Sequence, residues 1–159
     1  MRKFIILAAV GIIGFLTHAA CIPPGGALTP SSFVQVIEPT WSTIEIKADM
    51  TYDRAWQEVV DVVAKRFEME MISKEGGYLR TSWIYTWWKE GIVTENYRVR
   101  VIIKFSADQK KVDMKTEANF MLTAPETGRS TGNWVVGTDT KLLQTLKTDI
   151  MGVVGRTTR

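Results

Sequence analysis

Tyr97-Arg-Val-Arg-Val-Ile-Ile-Lys-Phe105, then Ser-Ala-Asp-Gln-Lys, then Lys111-Val-Asp-Met-Lys-Thr-Glu-Ala-Asn-Phe120, is the stretch that decides the fold. Apolar and polar residues alternate with a period of two in both runs, the pattern of half-buried strands joined by a short turn. Tyr97, Val99, Val101, Ile103 and Phe105 share one face of the first, and Val112, Met114, Thr116, Ala118 and Phe120 share one face of the second. Pairing Phe105 with Val112 sets Lys104 opposite Asp113 and Arg100 opposite Glu117. Opposite charges meeting in this way support the register, because a one-residue slip would turn a strand inside out.

Upstream, residues 78–88 alternate in the same way, with Leu79, Thr81, Trp83, Tyr85 and Trp87 predicted to face inward. Lys74-Glu75-Gly76-Gly77 before them is a hairpin turn, since glycine supplies the positive φ such turns need. Phe67, Met69 and Met71 alternate against Glu68 and Glu70, and pairing Met71 with Leu79 brings Glu70 opposite Arg80. Residues 52–67 change period: Ala55, Trp56, Val59, Val60, Val63 and Phe67 recur at spacings of three and four, an amphipathic helix capped by Thr51. Thr43 to Met50 alternates again, with Ile44, Ile46, Ala48 and Met50 on one side. Downstream, residues 121–137 contain Pro125, Gly128, Gly132 and Gly137 and are expected to be a loop. A last helix is predicted over 139–153, with Leu142, Leu143, Leu146, Ile150 and Val153 inward. The order β-α-β-β-β-β-α predicts a two-layer α+β fold over 43–155: an antiparallel sheet of about five strands with two helices on one face.

The first twenty residues have a different character. Arg2-Lys3 precedes thirteen uncharged residues from Phe4 to Leu16, the pattern of a secretory signal and too short for a permanent span. Ala19-Ala20-Cys21 resembles the lipobox of bacterial lipoproteins, in which the cysteine is lipidated and becomes the first mature residue; His18 departs from the aliphatic residue usual there. Ordinary cleavage after Ala19 is the alternative. By resemblance to enterobacterial sorting, Ile22 after the cysteine implies the outer membrane, with the domain facing the periplasm. Residues 21–42 carry Pro23, Pro24, Gly25, Gly26 and Pro30 and read as a tether, whose nineteen residues from Ile22 to Thr40 reach roughly 60 Å fully extended. Its apolar knot, Phe33-Val34-Gln35-Val36-Ile37, either docks on the domain as an edge strand or engages a partner.

Composition narrows the chemistry. The chain has 159 residues, 20 Lys and Arg against 17 Asp and Glu, one His and one Cys. Removal of residues 1–20 takes away Arg2, Lys3 and His18, leaving a mature charge of +1. A strongly basic nucleic-acid binder is therefore disfavoured. Without histidine, and with Cys21 as the single thiol, Ser-His-Asp and Cys-His catalysis, Cys/His zinc sites and internal disulfides are excluded. No phosphate-binding glycine loop or nucleophile-elbow motif occurs. Glu68 and Glu70 read as solvated, without the apolar wall a catalytic carboxyl needs. The expectation is a non-enzymatic protein with no cofactor and no metal.

The feature above background is aromatic. Trp83, Tyr85, Trp87 and Trp88 fall within six residues, beside Trp41, Trp56 and Trp134. Strand parity puts Trp88 and Ile84 on the outward face with Arg98, Arg100 and Ile102, and pairing Trp87 with Val99 sets Trp88 beside Arg98 for a cation–π contact. Such a Trp/Ile/Arg patch has the composition of a protein-binding hot spot, while a solvated face with a local Arg–Trp stack is the plainer alternative. Trp134, in the 121–137 loop, either closes over the sheet edge or reaches a partner.

The signal, the tether, the helix start Thr51-Tyr-Asp-Arg-Ala-Trp56-Gln-Glu-Val-Val60 and the hairpin Gly76-Gly-Tyr-Leu-Arg-Thr-Ser-Trp83 together resemble the helix-grip domains of BamC, an accessory lipoprotein of the outer-membrane β-barrel assembly machinery. The likeness covers residues 43–153. BamC has two such domains and a long N-terminal segment, where this chain has one domain and a short tether. The resemblance implies a lipid-anchored accessory or scaffold subunit that contacts envelope proteins and meets the membrane through lipid on Cys21. A periplasmic carrier of a lipid or other apolar small molecule is the alternative function.

Overall fold

The computed structural model describes residues 31–85, 96–124, 126–127 and 129–156. These residues form an α+β fold with seven antiparallel strands in one open sheet and two helices: β1 (Phe33–Gln35), β2 (Ser42–Glu45), α1 (Tyr52–Ala64), β3 (Met69–Ser73), β4 (Tyr78–Thr81), β5 (Tyr97–Phe105), β6 (Lys111–Thr123), β7 (Ser130–Asp139) and α2 (Thr140–Val154). The sheet order is β1-β7-β6-β5-β4-β3, and β2 also pairs with β6. β2 takes the 111–114 end of β6 and β7 the 118–123 end, so the two lie end to end along the edge of β6 that β5 leaves open.

The deciding stretch pairs as its charges predict: Phe105 faces Val112, Lys104 faces Asp113 and Arg100 faces Glu117. The sheet has seven strands rather than about five, for two reasons. Most of the segment expected to be a loop is strand, since β6 continues to Thr123 and β7 returns from Ser130. The apolar knot of the tether also docks, as β1, with Phe33 opposite Asp139 and Gln35 opposite Gly137. Gly137 is what admits it: a Cβ there would lie 2.3 Å from the Phe33 ring, inside van der Waals contact. The Phe33 ring in turn meets Tyr97 edge-on and lies against Phe120.

Both helices lie on the inner face. Thr51 caps α1, its hydroxyl accepting from the Arg54 N–H, and Ala55, Trp56, Val59, Val62 and Val63 are buried. Asp139 caps α2, accepting from the Leu142 N–H at 2.9 Å, above buried Leu142, Leu146, Ile150 and Val154. These side chains share one core with Leu79, Val99, Val101, Ile103, Val112 and Met114. The buried Asp139 carboxylate also accepts from the Tyr97 hydroxyl at 2.6 Å and from the Ser32 hydroxyl at 3.0 Å, tying the start of β1 to α2 and to mid-sheet. Burial first, and then the adjacent Asp139 charge and its hydrogen bond, push the Tyr97 phenol above its ordinary pKa.

Two irregularities overturn sequence expectations. β3 pairs with β4 through a bulge at Glu70, so Ile72 rather than Met71 faces Leu79, and Met71 is 46% exposed instead of inward. The Glu70–Arg80 ion pair nonetheless forms, at 3.0 Å. Beyond β4 the chain gains one more residue against β5: Arg80 faces Ile102 but Ile84 faces Val99, so three residues on one side span two on the other. The hydroxyl of Thr81 accepts from the Val101 N–H at 3.0 Å inside this bulge, and Ser82 N–H donates to Glu68. Side-chain parity is reversed from Trp83 onward. Ile84 packs on the core rather than facing out, Tyr85 is 44% exposed rather than inward, and Trp83 sits on the outer face. Trp87 and Trp88 lie outside the described residues, as do Cys21 and the first twenty residues, expected to be a signal. Among the described residues no helix is long and apolar enough to cross a membrane.

Candidate functional site

The outer face of the sheet, away from the helices, collects the aromatic and cationic residues singled out in the sequence. On β5 the outward positions are Arg98, Arg100, Ile102 and Lys104, and β6 sets Asn119, Glu117, Lys115 and Asp113 directly opposite them. Arg100 grips Glu117 with two nitrogens, Nε at 2.7 Å and Nη2 at 2.6 Å, while Lys115 Nζ takes the other carboxylate oxygen at 2.9 Å. Partial burial pushes the Glu117 carboxyl up, but the hydrogen bonds and charges of Lys115 and Arg100 outweigh it and hold the group below the usual carboxylate range. Arg80 bonds Glu70 on the neighbouring strands, and Arg100 approaches the same carboxylate at 3.8 Å.

The indoles fit between these charges. Trp83, turned outward by the bulge, has the Arg98 guanidinium over its ring at 4.5 Å and that of Arg100 at 4.4 Å. Arg98 also lies over Trp134 at 4.3 Å, and Lys115 over Trp41 at 5.0 Å. The face therefore carries one connected run: Trp134, Arg98, Trp83, Arg100, Glu117, Lys115, Trp41. Each cation–π contact at such partly solvated sites is worth about 0.5–1 kcal/mol. Asn119, with its amide oxygen toward Arg98, accepts from Nη2 at 3.1 Å and Nε at 3.3 Å.

Of the residues expected to bind a partner, Arg98, Arg100 and Trp134 come together here. Trp134 is on β7 opposite Met121, not in a loop, which is how its ring reaches Arg98. Ile102 is on this face but only 5% exposed, flanked in register by Arg80 and Lys115, so it supports the face rather than offering a contact. Ile84 belongs to the core. Two residues escaped the sequence reading: Trp83, expected inside, and Trp41, placed in the tether. The signal for Trp41 is its place next to Ser42, whose partner Met114 adjoins the Lys115 that lies over the Trp41 ring.

A shallow groove adjoins the stack where β1 leaves β7, lined by Gln35, Val36, Ile37, Trp134, Val135 and Val136. Ile37 is fully exposed and Val136 is 44% exposed. A separate recess of about 570 Å³ is open and lined by Glu45, Lys47, Tyr52, Asp108, Lys110 and Arg156 among others, a mixture of opposed charges that selects no ligand class. Among the described residues no three metal-ligating side chains cluster. What the outer face offers chemically is recognition: planar cations, indoles and an apolar groove side by side. Compared with models of known protein families and with curated proteins, the chain matches none.

Proposed function

We propose that this protein is a non-enzymatic accessory or scaffold subunit of a bacterial outer-membrane complex, held on the periplasmic side by lipid on Cys21, and that it docks an envelope protein through the outer face of its sheet. The observation that carries this reading is the run from Trp134 to Trp41 on a sheet face that neither described helix covers. Trp and Arg are the residues enriched in interface hot spots, and a half-desolvated stack with exposed apolar neighbours is how such hot spots are built. The non-enzymatic part rests on composition, since the mature chain has no histidine and one thiol. We also read the layout, one antiparallel sheet with both helices on its inner side, as helix-grip-like, consistent with a BamC-like accessory role.

The test is site-specific photocrosslinking in native membranes, with a photoreactive residue at Val136 on the outer face and, as control, at exposed Gln57 on the helical side. Protein adducts at Val136 and few at Gln57 are expected. Equal adducts at both positions, or none at Val136, overturn the docking face. Intact mass of the membrane-fraction protein checks the anchor: a chain starting at Cys21 with a diacylglyceryl mass is expected, and an unmodified soluble chain removes it.

A further inference from the structure

We infer that the partner presents a carboxylate to Arg98, with an apolar side chain roughly 10 Å away for the groove beside Trp134; this rests on the docking face proposed above. The first observation is an imbalance of charge. Arg80, Arg100 and Lys115 each hold a carboxylate, and Lys104 stands opposite Asp113. Arg98 has two indoles and one amide, and no carboxylate among the described residues.

The second observation is how Arg98 is held. Stacking engages the flat faces of a guanidinium and leaves its in-plane N–H groups for hydrogen bonds. Asn119 takes Nη2 and Nε. Nη1 is left without a hydrogen-bond partner among the described residues. A cation held by Trp83 and Trp134, with one donor that no described residue claims, is pre-organised for an anionic oxygen, and a charge-assisted bond there is stronger than one between neutral groups.

The third observation is what lies next to it. Arg98 faces Asn119 and Asn119 faces Val136, so two strand spacings, roughly 10 Å, separate the cation from the apolar groove. Trp134 borders both, since Arg98 lies over its ring and it lines the groove with Val36, Ile37 and Val136. A partner surface with an Asp or Glu and a Leu-, Ile- or Phe-like side chain at that separation satisfies both at once. A basic partner surface meets like charge at Arg98, which excludes it.

The experiment uses the Val136 photocrosslinker in the full-length protein in its own membrane, with the crosslinked partner peptide sequenced by mass spectrometry. The expected peptide carries Asp or Glu close to apolar residues. Arg98→Lys, which keeps the charge but loses the planar stack, is expected to lose less adduct than Arg98→Glu, which is expected to lose it by at least tenfold at unchanged protein level. The reciprocal change, Asp→Asn or Glu→Gln in the identified partner peptide, leaves this domain untouched and is expected to cut the yield to the same extent. Adducts to a segment without acidic residues, or a yield indifferent to both charge changes, overturn the carboxylate while leaving the docking face standing. Adducts to lipid alone, or none to protein, overturn the docking face and this inference together.

Discussion

The two faces of one sheet are built on different principles from the same alternating strands. On β5, Tyr97, Val99, Val101, Ile103 and Phe105 point inward into a core shared with both helices, while Arg98 and Arg100 point outward into a ladder of charges and indoles. The inner face is stabilised by area removed from water, a non-directional gain that each residue makes with many neighbours. The outer face is stabilised by a few directional pairs that share members: Trp83 serves two arginines, Arg98 serves two tryptophans and Glu117 serves Arg100 and Lys115. The difference teaches that the inner face is what makes the domain fold, and the outer face is where side chains can be exchanged for others at modest cost in stability.

The largest effect that tests this contrast is on the inner side. Leu146→Ala, at a fully buried position of α2, is expected to lower unfolding free energy by about 3 kcal/mol in denaturant titration. A loss under about 1 kcal/mol contradicts a close-packed core.

Next comes pH. Folded Tyr97 holds its proton more tightly than the unfolded chain does, so its contribution is intact below pH 10 and drains as pH rises past that value. One proton corresponds to a slope of about 1.4 kcal/mol per pH unit at most. Tyr97→Phe is expected to flatten that alkaline slope, at a cost of about 2 kcal/mol at neutral pH for the lost bond to the buried Asp139 carboxylate. If thermal melts of wild type and variant fall in parallel above pH 10, the buried phenol is not the cause. The outer face has the opposite sensitivity: Glu117 titrates below the usual carboxylate range, so its contribution is present above the ordinary glutamate pKa and is lost as pH falls through its own.

The smallest effect belongs to the outer stack. Trp83→Ala removes two cation–π contacts and is expected to cost about 1–2 kcal/mol while strongly reducing crosslinking at Val136. A core-sized loss of stability, with crosslinking tracking only the folded fraction, would assign Trp83 to the fold instead of to the face.

Much of the fold was legible because alternation and helical spacing are strong signals when a face is fully buried. The β5–β6 register, the Thr51 cap and the α2 stripe needed nothing more. The errors cluster where local pattern and tertiary pairing separate. In Trp83-Ile84-Tyr85 every residue is apolar or aromatic, so either parity fits, and only the pairing with Val99 decides that Ile84 goes inside. β7 was hidden by Gly132 and Gly137, which lower strand propensity. Gly137 is there because the Phe33 ring occupies the space a side chain would need, a contact with a residue a hundred positions away. The face was accordingly half legible: Arg98, Arg100 and Trp134 were named, but Trp83 required the bulge and Trp41 the docking of β2 on β6.

The docking of β1 also sets the mechanics of the proposed anchor. A lipid on Cys21 would leave eleven peptide steps to Ser32, a leash of less than about 40 Å even when pulled straight. Ser32 is where that leash is fastened: its hydroxyl bonds Asp139, and its carbonyl accepts from the Thr140 N–H at 2.9 Å. Tension from the bilayer would therefore arrive at the start of α2 and at the Phe33 ring lodged over Gly137, so a membrane pulling away would strain the sheet's own edge before it moved the domain's far end.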